Sequence, residues 1–127
     1  MTSEQKQYKE LILADLRIVA EYYNSESKSM KLLAAYHMQQ AVEKTIKLKA
    51  SLEGLNLWGH DIDVLINKCE ESHINIKVPR YIKEKADQIS HWEAECRYYP
   101  IKSVRRDSLK KTLEVTKVWL SRGESGF

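Results

Sequence analysis

The stretch from about Lys31 to about Leu52 constrains this chain more than any other. Leu33, Ala34, Met38, Ala41, Val42, Thr45, Leu48 and Leu52 recur at spacings of three and four residues, the period of one helix face. Ala35 and Ile46 widen that face until the apolar arc covers more than half the circumference. A helix apolar over so much of its surface must be packed on several sides, which places it at the centre of a helical bundle. What is left is a narrow polar strip of Tyr36, His37, Gln40, Glu43, Lys44 and Lys47, whose side chains stack turn above turn. Two readings of the strip are open. It lines a groove or a dimer seam, or it is the solvent face of the central helix, with Glu43–Lys47 as a stabilising pair.

The segments on either side supply partners for that helix. Tyr8, Leu11, Ile12, Leu16, Val19, Tyr22 and Tyr23 predict a first helix from about Glu4 to about Asn24. Asp15 falls inside its apolar stripe, where a carboxylate must either reach an edge and meet a lysine or enter a polar site between helices. Ser27 or Ser29 suits the cap of the central helix and Gly54 its end. Asp61 caps a short third helix, about Asp61–Glu70, with Ile62, Leu65, Ile66 and Cys69 inward. Ser72–Val78 alternates weakly, but a lone strand has no pairing partner in a helical chain, so it reads as extended loop. Pro79 opens a fourth helix running to about Arg97, with Ile82, Ala86, Ile89, Trp92 and Cys96 on one face. Tyr99-Pro100 breaks it, and a fifth helix follows from about Ser103 to about Leu120. Leu109, Thr112, Leu113, Thr116, Trp119 and Leu120 face inward, and the tail after Leu120 is expected to fray. The reading is a single domain over residues 1–127: an all-α, antiparallel up-and-down bundle of four long helices plus one short helix.

Composition narrows the class. A chain of 127 residues buries roughly two thirds of its unfolded surface, enough for a real core. Charged residues make up 31% and alternate in sign along the helices, as on a solvated globular surface. The net charge of +3 does not by itself demand a nucleic-acid partner. No apolar run reaches the length of a membrane span, and the N-terminus lacks the apolar core of a signal peptide. A cytoplasmic protein is expected, with Cys69 and Cys96 as reduced, half-buried thiols.

Three places carry possible chemistry. From Lys102 to Lys111 there are five basic residues and a single acid, Asp107. Arg105, Arg106, Lys110 and Lys111 then sit in the first turns of the fifth helix, where their charge opposes the helix field by a few tenths of a kcal/mol each. Such a concentration raises the local potential as an anion site would. Arg97, Tyr98 and Tyr99 precede it and offer a phosphate fork and stacking rings. The plain alternative is a solvated basic helix start, with Glu93–Arg97 as an ordinary pair one turn apart. The polar strip is the second place. The third is His60-Asp61, better read as a helix start than as metal ligands, because His37, His73 and His91 fall in no ligand-spaced pattern. No metal, cofactor or activated nucleophile is indicated, since Cys-x-x-Cys, Gly-x-Ser-x-Gly and a glycine-rich phosphate loop are all missing.

Taken together, Ala35-Tyr-His-Met-Gln-Gln-Ala-Val-Glu-Lys44, then Gly59-His60-Asp61, then Cys96-Arg-Tyr-Tyr-Pro100 resemble the HEPN domain family. The string Gln40-Ala41-x-Glu43-Lys44 is the most specific part, and the likeness covers most of the chain. It implies a helical bundle that usually dimerises, often accompanies a small nucleotidyltransferase in a toxin–antitoxin-like pair, and binds or acts on RNA. Active ribonuclease members carry an arginine followed four to six residues later by a histidine. Here Ile101, Lys102, Ser103 and Val104 follow Arg97 and its tyrosines without one, so the likeness reaches Arg97 as a phosphate contact and supplies no general base. The expectation is a non-catalytic homodimeric module for nucleotide, RNA or a nucleotidyltransferase partner. Arg97, Arg105 and Arg106 would meet phosphate, Tyr98 or Tyr99 would stack, and Gln40, Glu43 and Lys44 would shape the groove. The alternative is a degenerate endoribonuclease working without metal, in which His37 or His91 replaces the missing base.

Overall fold

The computed structural model describes the backbone of residues 1–97 and 104–122, and side chains over the same residues except 94–97. Within them are five α-helices: α1 (Ser3–Tyr22), α2 (Lys28–Leu52), α3 (Ile62–Glu71), α4 (Arg80–Arg97) and α5 (Arg106–Ser121). The fold is the all-α bundle that the periodicity predicts. Ser72–Val78 carries no strand. The tail beyond Arg122, the Tyr99-Pro100 break and the expected helix start at Ser103 lie outside the described residues.

Local chemistry sets the helix ends. Thr2 and Gln5 form a reciprocal capping box on α1, with bonds of 3.1 and 2.9 Å. Ser27 accepts the Met30 N–H at the start of α2, so that helix begins about three residues earlier than its apolar pattern. At its other end Gly54 takes φ +85°, Leu55 N–H returns to the Ala50 carbonyl at 2.9 Å, and Gly54 N–H to Ser51 at 3.0 Å. These are the paired bonds of a Schellman ending, and they need a left-handed residue at Gly54. The end of α3 has the same pair of bonds, Ile74 N–H to Cys69 and His73 N–H to Glu70, but the left-handed position is His73, φ 58°. Asp61 caps α3 at Val64 N–H, and Ser90 of α4 accepts the Ile62 N–H at 2.9 Å.

α2 packs against each of the other four helices. Met38, Ala41, Val42 and Ile46 are wholly buried along it, each of the larger ones stabilising the fold by about 1.5–3 kcal/mol. Around them stand Ile12, Leu16 and Val19 of α1, Leu65 of α3, Ile82 and Ile89 of α4, and Leu109 and Trp119 of α5. The Trp119 indole N–H donates to the Ile76 carbonyl at 2.9 Å, which ties the strandless 72–78 segment to α5. Cys69 is a free thiol buried more deeply than the half-buried position expected, because it faces the core from α3, and Cys96 lies among the undescribed side chains. No helix among the described residues is long and apolar enough to cross a membrane.

Candidate functional site

The polar strip of α2 is not a solvent face. It is turned toward α1 and the 53–61 loop, and two buried carboxylates organise it. Asp15 of α1, its side chain 8% exposed, accepts from Lys44 Nζ at 2.7 Å and pairs with His37 Nδ1 at 2.8 Å. Glu43 of α2, 5% exposed, pairs with Lys47 Nζ at 3.0 Å and with His60 Nδ1 at 3.1 Å. Each carboxylate therefore holds one lysine and one histidine, on different oxygens in each case. Both expectations for Asp15 hold at once: it meets a lysine, and it does so in a polar site between helices.

Amide side chains complete the network. Gln39, fully buried, donates to Glu43 Oε1 at 3.1 Å and to the His60 carbonyl at 3.2 Å, and Gln40 donates to Gln39 Oε1 at 2.7 Å. Tyr36 stands edge-on to His37, ring centres 5.2 Å apart. Tyr8 of α1 lies close to both carboxylates. Burial, followed by the charges of Glu43 and Asp15, pushes its phenol up from 10.0 to about 12. Tyr8 therefore keeps its proton throughout the neutral range.

In both histidines Nδ1 is occupied, which leaves Nε2 as the atom able to accept a proton or touch a ligand. His60 offers it to solvent, being 70% exposed, whereas the His37 side chain is only 22% exposed. No cluster of three metal-ligating side chains occurs among the described residues.

The basic start of α5 is a separate place. Arg105 is the N-cap residue, in extended conformation, and no side chain among the described residues caps the helix there. Arg106 reaches the α1–α2 loop, 3.3 Å from the Ser25 carbonyl and 3.7 Å from Glu26. Lys111 lies 5.8 Å from the centre of the Tyr81 ring. Arg105 and Lys110 are exposed and have no ion-pair partner among the described residues. At 1.5 Å per residue, His37 is about 15 Å along α2 from the Ser27 cap beside that loop. No hydrogen bond, ion pair or ring contact among the described residues joins the two places. His37, Gln40, Glu43 and Lys44 thus come together with one another and not with Arg105 and Arg106. The side chains of Arg97, Tyr98 and Tyr99 lie outside the described residues.

Sequence reasoning gave Gln39 no role, placed Tyr8 only in the apolar stripe of α1, and read His60-Asp61 as a helix start. Gln39 carried a signal, since it stands one turn before Glu43 on the same helix. His60 carried none beyond its place before the Asp61 cap, because its pairing depends on how the 53–61 loop returns to α2.

A HEPN domain family model matches residues 13–123. The crystal structure of TT1696 from Thermus thermophilus is similar in fold, with a TM-score of 0.73 at 20% identity over 99% of this chain and 100% of that one. No curated protein matches the chain significantly in sequence.

Proposed function

Because the chain belongs to the HEPN domain family, we propose that it is a non-catalytic HEPN module that binds the phosphate groups of a nucleotide or RNA at the start of α5. The observation that carries this reading is the uncapped helix start at Arg105. Its first N–H groups have no side-chain acceptor among the described residues, and Arg105, Arg106 and Lys110 fall in its first turns, where the helix field already repels cations. A bound phosphate would accept from those N–H groups and take the Arg105 fork, turning an unfavourable concentration of charge into a favourable one. In the same reading the chain works as a homodimer beside a small nucleotidyltransferase, in a toxin–antitoxin-like pair. The polar strip holds α1, α2 and the 53–61 loop in register.

The test is a titration of fluorescent RNA and of a nucleoside triphosphate at about 50 and about 200 mM salt. Saturable binding that weakens with salt, and weakens again in Arg97→Ala/Arg105→Ala, is the expected result. Absent binding, or binding indifferent to that double substitution, contradicts it.

One observation favours a second reading, a degenerate endoribonuclease. The Asp15 contact at 2.8 Å orients His37 as a carboxylate orients a general base. His91, by contrast, has its Nδ1 on its own helix at the Asp87 carbonyl, 2.7 Å away. On this reading RNA is cut in the presence of a chelator, and His37→Ala abolishes cutting while His91→Ala does not. Purified protein that leaves a range of RNAs intact disposes of it.

A further inference from the structure

Leu13 and Leu16 of α1 and Leu120 of α5 floor a cavity of about 330 Å³ open along the junction of the two helices. Leu13 remains 38% exposed there, while Leu16 and Leu120 are buried. Lys9 and Arg17 of α1 and Lys117 of α5 line the same cavity, and no carboxylate among the described residues does. Glu10, Glu21 and Glu114 are exposed on these helices but stand outside the lining. Lys9 and Arg17 are also interior to α1, away from the C-terminal turn where a helix field would favour them.

We infer that this groove docks an acidic amphipathic helix from a different protein. Two neighbouring helices present a trough that accepts a third helix through an apolar stripe at i, i+3, i+4 and i+7. Carboxylates flanking that stripe would meet Arg17 and Lys117. A second copy of this chain fits poorly, because a two-fold axis along the groove would set Arg17 of one copy against Lys117 of the other, cation facing cation. Nucleic acid would satisfy the cations but would leave the exposed Leu13 side chain uncovered. The inference is independent of the phosphate reading, since none of its residues lies at the α5 start.

The test uses two synthetic helical peptides of about 18 residues with the same leucine stripe, one flanked by glutamates and the other by lysines. The expected result is saturable binding of the acidic peptide, with amide shifts confined to residues 9–20 and 117–121, and lysine-peptide binding about tenfold or more weaker. Arg17→Glu/Lys117→Glu should reverse that preference. Leu13→Asp should abolish acidic-peptide binding while helical circular dichroism and phosphate binding persist. Equal binding of both peptides, shifts centred elsewhere, or an acidic preference that survives charge reversal overturns the inference. So does a dimer that dissociates in Leu13→Asp, which would make the groove a contact between copies.

Discussion

Asp15 and Lys44 meet at 2.7 Å across the α1–α2 junction, and the second oxygen of Asp15 holds His37 at 2.8 Å. A carboxylate in the apolar stripe of α1 is tolerable only because α2 brings a cation and an imidazole to the same point. The polar strip therefore fixes the register of the two helices as well as offering candidate chemistry.

Removing the carboxylate should expose that dependence. Asp15→Ala leaves Lys44 without its counter-charge and His37 without its acceptor, and should cost about 2–4 kcal/mol. Urea unfolding measures it, and a loss below about 0.5 kcal/mol would mean that the contact contributes nothing net.

Tyr8 links the same cluster to pH. Its phenol rises from 10.0 to about 12 in the folded chain, through burial and then through Glu43 and Asp15. The folded state holds that proton more tightly than the unfolded state. The contribution of Tyr8 is therefore complete below pH 10.0 and is lost as pH climbs toward about 12. Denaturant midpoints of the wild type should fall more steeply across that window than those of Tyr8→Phe. Parallel profiles would contradict the assignment.

How far the sequence reveals this arrangement depends on whether the determinant is local. Ser27 and Asp61 are legible as caps because a cap answers to residues within one turn. The central position of α2 follows from its apolar arc, which no single neighbour could cover. The solvent-face reading of the strip fails for the same reason. A helix contacted by all four others has little free surface, so Glu43 is buried and His60 pairs with it. That pairing joins residues 17 positions apart through a loop of no regular period, and nothing in the spacing encodes it. Nor does spacing separate the strip from the α5 start, which the packing of the α1–α2 loop against Arg106 sets apart.

Trp119 gives a test of the strandless segment. Trp119→Phe keeps an aromatic ring but deletes the donor to the Ile76 carbonyl, and should cost about 1–3 kcal/mol. Hydrogen exchange should then quicken in residues 72–78 while the amides in the middle of α2 stay protected. Unchanged exchange in 72–78 would show that the bond does not hold the segment.

The most direct measurement of the proposed function is the salt dependence of RNA binding, wild type against Arg105→Ala/Lys110→Ala. Each phosphate contact removed should flatten the plot of log binding constant against log salt by about 0.7 on a single strand. The slope should be shallower by about 1.4 in the double variant, with weaker binding at low salt and an unchanged fold. A slope identical to that of the wild type would contradict it, and would leave the start of α5 as a solvated basic turn.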